Sequence, residues 1–238
     1  MATSAALLLA PFAGAKAATV GNGGGMPWQS FAGDPPPKVN PGVWQYLTPE
    51  EGAMLEAIVD RLIPVDPETP GGKDCGCATF IDLQLAGPFG HSEGLYMRPP
   101  FQTGTPEQGL QSGTTPAALY RRMLAALDQH CRVAYAGKTF AQLAPADQDK
   151  ILATMDAGSL QLDAGNAKPF FELLLQNTRE GFFADPVYGG NRDMAGWRMI
   201  GFPGARYDYR DWVERHNERY PLPPVGISGR PAWSATPT

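Results

Sequence analysis

The chain is poor in the residues that most often carry catalysis or bind metal ions. It has three cysteines, and its three histidines lie far apart, at His91, His130 and His216. No Cys-x-x-Cys, Cys-x-x-Cys-His or paired-histidine string occurs, so the ligand spacings of common zinc sites and of covalent haem attachment are missing. The sequence therefore predicts no metal centre and no haem in this chain.

Positive charge is also scarce. Lys and Arg number 19 against 24 Asp and Glu, which gives a formal net charge of −5. A general nucleic-acid-binding protein needs a basic surface to neutralise phosphates, and no cluster of Lys and Arg supplies one. We therefore expect no nucleic-acid partner.

Long apolar runs and strand-like alternation are absent as well. No apolar run reaches the roughly 20 residues of a membrane-spanning helix, and no segment alternates β-branched and polar residues. Apolar residues recur instead at helical spacing in five segments, which begin near Pro49, Ala78, Pro116, Pro145 and Lys168. The 28 glycines and 24 prolines are about twice the usual share. The predicted fold is mostly α: an irregular domain of about five helices with long Gly/Pro-rich loops.

The first helix has the clearest start. Thr48 is a good N-cap, Pro49 suits the first turn, and Glu51 stands three residues after the cap, which together form a capping box. The longest loop is predicted at residues 87–115, and loops of this length are usually functional or lie against a partner.

The termini differ in composition from the helical part. An apolar stretch from Ala5 to Ala13 precedes Ala15-Lys16-Ala17, the small-x-small pattern of a signal-peptidase site. No basic residue precedes the stretch, so an ordinary alanine-rich N-terminus stays an alternative. We predict a signal-peptide remnant at residues 1–18, a linker or arm at 19–43, the helical domain at 44–220 and an extended C-terminal tail at 221–238.

Export would place the three cysteines in an oxidising compartment. Cys75 and Cys77 could close only a small strained ring, so a bond from one of them to Cys131 is easier to form. The third thiol would then be free to bridge to another chain. The alternative is that the thiols are buried and unreactive.

Two strings imitate known active-site motifs without their context. Gly21 to Gly25 has the glycines of a dinucleotide site, but no strand precedes it and no helix follows. Ser92 lies in Gly-x-Ser-x-Gly, with Asp193 and His216 in the chain order of a hydrolase triad. That motif needs a serine between a buried strand and a helix, so a hydrolase that uses Ser92 is kept only as an alternative.

The most distinctive stretch runs from Glu180 to Val213. It combines glycines, arginines, aspartates and large aromatic residues. Aromatic residues with arginine are typical of the energetic centre of a protein interface. They also suit a loop that packs on itself, and composition alone does not separate the two interpretations.

Within and before this stretch the chain resembles the gluconate 2-dehydrogenase subunit 3 family. The likeness is carried by LTPEE at 47–51, DRLIP at 60–64, GFFADPVYGGNRDMAGW at 181–197 and GFPGA at 201–205. The resemblance implies a periplasmic complex of three subunits, in which a flavoprotein oxidises the sugar or sugar acid and a multihaem cytochrome c passes electrons to the cytoplasmic membrane. The small subunit binds the flavoprotein, helps it mature and escorts it through twin-arginine export.

This resemblance leads to the expected function. We expect a non-catalytic, periplasmic small subunit that has no cofactor of its own, while FAD and haem c reside in the flavoprotein and cytochrome partners. Membrane association would come through the complex. The chain lacks an Arg-Arg pair before its apolar stretch, which departs from the family's export signal. A free-standing sugar-binding protein is a further alternative. For the docking role, the aromatic and arginine residues of the stretch at 180–213 supply the predicted partner contacts, which are Tyr188, Arg192, Trp197, Phe202 and Tyr207.

Overall fold

A computed structural model describes residues 43–102, 104–108, 113–206 and 208–227. The elements of this part of the chain are α1 (Pro49–Leu62), α2 (Cys77–Ala86), α3 (Pro116–Ala134), α4 (Pro145–Asp156), β1 (Gln161–Leu162), β2 (Gly165–Asn166), α5 (Lys168–Phe183) and α6 (Ala195–Ile200). The two short strands pair antiparallel. The mostly α fold is confirmed, and the structure adds α6 and the small hairpin to the five predicted helices.

The start of α1 follows the predicted capping box. The hydroxyl of Thr48 accepts a hydrogen bond from the Glu51 amide at 3.2 Å, and the Glu51 carboxylate accepts one from the Thr48 amide at 2.9 Å. Arg121 of α3 forms an ion pair with the same carboxylate and donates to the carbonyl of Tyr46 at 2.6 Å. The capping residue therefore also joins the first helix to the third.

Helices α2 and α5 form the centre of the core, and α1, α3 and α4 pack around them. Tyr120 of α3 is fully buried, with its ring edge-on to Phe170 of α5 at 5.1 Å. Its hydroxyl accepts a hydrogen bond from the Asn177 amide at 2.8 Å, so the buried polar atom is satisfied. Burial raises the pKa of Tyr120 well above its ordinary value.

The segment before α1 is held by a buried carboxylate. Asp82 of α2 is 0% exposed. Its two oxygens accept hydrogen bonds from the backbone amides of Gln45 at 2.7 Å, Tyr46 at 3.0 Å and Leu47 at 2.9 Å. Backbone amides at the entry to the domain thus find their acceptor on the central helix.

The loop between α2 and α3 corresponds to the predicted excursion at 87–115. Its described residues form turns and one short 3₁₀ segment, Pro106–Gln108. Tyr96 in this loop is 82% exposed. The amide of Ala117 donates to the carbonyl of Gly90 at 3.0 Å, which fixes the end of the loop against its beginning.

The predicted terminal segments are mostly outside the described residues. This applies to the signal-peptide remnant at 1–18, to the linker at 19–43 except its last residue, and to positions 228–238 of the tail. No helix in the described ranges has both the length and the apolar composition that a bilayer-spanning segment requires.

Candidate docking surface

The glycine-rich stretch after α5 turns back onto the helical core. Asn191 is fully buried in a left-handed conformation with φ 45°. Its side-chain amide donates to the carbonyl of Ala184 at 2.8 Å, and its side-chain oxygen accepts from the amide of Gly196 at 2.9 Å. A Cβ at Gly190 would overlap the carbonyl of Gly181, so glycine is required where the two backbone segments meet.

Arg192 joins this stretch to the turn before α2. Its amide donates to the carbonyl of Cys75 at 3.1 Å. Its half-buried guanidinium donates to the Thr79 hydroxyl at 3.3 Å and to the Asp74 carbonyl at 3.5 Å. The predicted partner contact at Arg192 is therefore occupied by contacts within the chain.

Trp197 also faces inward. It is 6% exposed, and its indole Nε1 donates to the carbonyl of Phe183 at 2.7 Å. Phe202 packs edge-on against it at 5.1 Å and remains 44% exposed, while Tyr188 is 52% exposed. Of the predicted contacts, Tyr188 and Phe202 thus present area to solvent, and Tyr207 lies outside the described residues.

Beyond Trp197 the chain builds an exposed face with two adjoining clefts, which we name the C-terminal surface and define as residues 197–203 and 209–224. One cleft has a volume of about 580 Å³ and the other of about 370 Å³. Both are bordered by Gly201, Pro203, Arg219 and Tyr220. The stretch at 180–213 that the sequence marks as distinctive includes residues 197–203 and the start of the second half, whereas residues 214–224 join this surface only through the tertiary fold.

Several large apolar side chains of this surface are open to solvent. Ile200, Phe202, Val213 and Leu222 are between 44% and 62% exposed. Contiguous exposed apolar area of this kind marks interaction sites more often than scattered apolar residues do.

The second half of the surface is tied to the first by residues 220–227. Gly204 and Val225 form a parallel bridge, in which the amide of Ala205 donates to the carbonyl of Val225 at 2.6 Å. The carboxylate of Asp185 accepts from the amide of Ile227, also at 2.6 Å. These bonds fix the proline-containing segment that forms one wall of the smaller cleft.

Aromatic stacking stiffens the larger cleft. The Tyr220 ring lies 4.9 Å from that of Trp212 and 6.0 Å from that of Tyr209. The guanidinium of Arg206 lies 5.0 Å from the Tyr220 ring centre, and that of Arg215 lies 4.7 Å from the Trp212 ring centre. Rings held in this way lose little conformational entropy when a partner binds.

Charge is divided unevenly between the core and this surface. Residues 43–194 contain nineteen acidic and eleven basic side chains, whereas residues 195–227 contain four acidic and five basic ones, all arginine. Arg210 pairs with Asp208 through two guanidinium nitrogens. That hydrogen bonding lowers the pKa of Asp208 to about 2. The C-terminal surface is therefore the less negative end of an acidic protein.

The three cysteines are free and buried, and no disulfide joins them. The sequence left open a bond between Cys75 or Cys77 and Cys131 or, alternatively, buried thiols, and the structure has the buried thiols. Burial raises the pKa of Cys75 to about 11, of Cys77 to about 12 and of Cys131 to about 11. Because the thiolate is the reactive form, these positions disfavour nucleophilic chemistry.

The candidate hydrolase residues do not form the hydrogen bond that a catalytic triad uses. Ser92 is 5% exposed, and its hydroxyl has no partner in the described part of the chain. It lies in a turn after α2, with no strand before it among the described residues. Asp193 and His216 are both exposed. No group of three or more His, Cys, Asp or Glu side chains within the described ranges could hold a metal ion.

The model of a family described as gluconate 2-dehydrogenase subunit 3 matches residues 49–204, about two thirds of the chain. No curated protein and no solved structure matches. The matched range includes the helical core and the first half of the C-terminal surface, and it ends before Tyr209, Trp212 and Arg219.

Proposed function

This chain belongs to the gluconate 2-dehydrogenase subunit 3 family, and from this premise we propose that it is a non-catalytic small subunit of a periplasmic, flavin-dependent dehydrogenase for gluconate or a related sugar or sugar acid. In the proposal it binds and stabilises the flavoprotein subunit and assists its export. Oxidation of the substrate takes place in the flavoprotein.

The observation that carries the proposal is the C-terminal surface. It combines exposed aliphatic and aromatic side chains, stacked arginines and two clefts on a fixed framework. Enriched arginine and aromatic residues characterise interface centres. In a family described as a subunit, such a surface is best explained by contact with another subunit.

The proposal assigns the redox groups to the partners. FAD belongs to the flavoprotein and haem c to a multihaem cytochrome subunit, while this chain contributes binding area and no cofactor. Association with the cytoplasmic membrane then comes through the complex. The family description names the reaction, and the division of labour among subunits is the proposed part.

Co-purification with the flavoprotein tests the proposal. Tyr188 and Phe202 are the predicted contacts that are open to solvent, so the double variant Y188S/F202S should strongly reduce the yield of co-expressed flavoprotein. Its melting temperature should fall by only a few degrees, because Phe202 loses its edge-on contact with Trp197. The matched control is V133S, because Val133 is 75% exposed on α3. Equal flavoprotein yields from wild type, double variant and control would contradict a docking role for these residues.

A sugar-binding protein is the second candidate, because the clefts of the C-terminal surface have the size of small-molecule sites and contain aromatic residues that could stack on sugar rings. Calorimetry of the isolated chain with gluconate and with glucose separates the two functions. A docking subunit gives no heat of binding with either compound, whereas a sugar-binding protein gives a saturable heat that is lost when Tyr220 is replaced by alanine.

A further inference from the structure

We propose that the smaller cleft of the C-terminal surface, between Arg198 and Arg219, binds an acidic segment of the partner flavoprotein. The segment places carboxylate side chains on the two arginines and an apolar side chain between them. This inference rests on the proposed docking function and names the chemistry of the docked face.

Arg198 and Arg219 differ from the other arginines of this region. Both border the smaller cleft and both are exposed. For neither side chain is an ion pair or a hydrogen bond to another described residue found. The guanidinium groups of both are therefore available for bidentate bonds to carboxylates, the geometry in which arginine binds acids most strongly.

The neighbouring arginines already have partners. Arg206 donates to the carbonyl of Pro223 at 2.7 Å and lies over a tyrosine ring. Arg210 pairs with Asp208, and Arg215 lies over Trp212 with Glu218 at 3.9 Å. These three stabilise the surface itself, which leaves Arg198 and Arg219 to recognise something outside it.

The walls of the cleft favour an apolar group next to the acids. Phe202, Pro203, Pro221 and Leu222 line it together with the Tyr220 ring. Proline and packed aromatic residues have few conformations to lose, so an apolar side chain that enters gains burial at little entropic cost. The volume of about 370 Å³ is large enough for several side chains of an extended segment.

The distribution of charged residues over positions 43–227 favours the same docked face. The excess of acidic side chains over residues 43–194 repels a negatively charged segment, whereas residues 195–227 carry a slight positive excess. Long-range fields of this type orient an approaching partner and raise its association rate. An acidic segment is therefore guided toward the end of the molecule where Arg198 and Arg219 lie.

The two arginines have different relations to the family match. Arg198 lies inside the matched range of 49–204, and Arg219 lies beyond it. The cleft thus has one arginine inside the range that the family model matches and one arginine beyond it.

The test measures binding of the full chain to its purified flavoprotein at several salt concentrations. Charge reversal at either position, R198E or R219E, should raise Kd at least about tenfold, and the double variant should also flatten the dependence of the association rate on salt. The matched control is R122E, because Arg122 is an exposed arginine on α3 for which no ion pair with a described residue is found.

Each outcome distinguishes the inference from the function on which it rests. If wild type binds and R198E and R219E bind equally well, the cleft does not recognise acids, although the docking function stands. If R122E weakens binding as much, the effect is one of net charge and the inference is wrong. If gluconate binds the isolated chain in a manner that R198E abolishes, the cleft is a small-molecule site instead. If wild type does not bind the flavoprotein, the proposed function fails and the inference fails with it.

Discussion

Replacement of Asp82 by asparagine should destabilise the fold by an amount that its hydrogen bonds allow us to estimate. The carboxylate is fully buried and accepts three backbone amide protons, two at Oδ1 from Tyr46 and Leu47 and one at Oδ2 from Gln45. Asparagine has the same shape, but it accepts protons at only one of its two terminal atoms. Its carbonyl oxygen keeps the pair at Oδ1, and its amide group faces the Gln45 N–H.

The magnitude follows from one lost hydrogen bond and two weakened ones. A hydrogen bond to a charged group contributes about 1.5–3 kcal/mol. We therefore expect D82N to lower the free energy of unfolding by about 2–3 kcal/mol. The variant D82A removes all three bonds and leaves a cavity, so it should cost about 5 kcal/mol.

Urea unfolding followed by tryptophan fluorescence measures both variants, with equal m-values as the check on two-state behaviour. The expected loss for D82N corresponds to about 4–12 °C in melting temperature. The control D163N changes an exposed aspartate in the hairpin turn between β1 and β2. Equal stability of D82N and D163N, or a D82A variant no less stable than D82N, would show that the Asp82 carboxylate does not hold the segment before α1.

Two further predictions concern titration and thiol reactivity. Arg210 lowers the pKa of Asp208 to about 2, so the stabilisation from this pair is present above the ordinary carboxyl pKa and is lost as pH falls toward 2. Carboxyl NMR should show this low titration midpoint for Asp208, and R210Q should return the midpoint toward the ordinary value. A midpoint near 4 in the unmodified protein would contradict the pairing. Because burial raises the pKa values of Cys75, Cys77 and Cys131 to about 11, 12 and 11, Ellman's reagent at pH 8 should label no thiol rapidly in the native chain and three after denaturation. Rapid labelling of the native chain, or fewer than three thiols in the unfolded one, would show that a cysteine is exposed or bridged.

The helices were predictable because their signals are local. Thr48, Pro49 and Glu51 specify the start of α1 within four residues, and Lys168 to Phe183 shows one apolar face over the whole of α5. Helix α6 was not predicted, since six residues that begin after a left-handed Met194 carry almost no periodic signal.

The inward orientation of Arg192 and Trp197 could not be obtained from composition. An arginine or tryptophan in a glycine-rich stretch serves an interface or an internal contact equally well. The available signal is in the glycines: Gly190 and Gly196 leave no space for a Cβ against the backbone of α5, which indicates that the stretch packs on itself. Partner contact by Tyr188 and Phe202 stays a prediction.

The sequence alone does not identify Arg198 and Arg219 as neighbours in one cleft, for a different reason. Nothing in their local sequence relates two arginines on opposite sides of a long loop. They border one cleft only because the bridge between Gly204 and Val225 brings residues 220–227 back beside α6. Long-range pairing of this type depends on the tertiary fold.

The late position of residues 220–227 has a consequence for biosynthesis. Helices α1 to α5 precede these residues in the chain. A nascent polypeptide can therefore begin to form its helical core while the ribosome is still adding the segment that forms one wall of the smaller cleft. Under the proposed docking function, a product of premature termination within residues 205–219 would contain helices α1 to α5 but lack the segment that completes the smaller cleft. The order of residues thus places the helical core earlier in synthesis than the segment that completes the proposed docking surface.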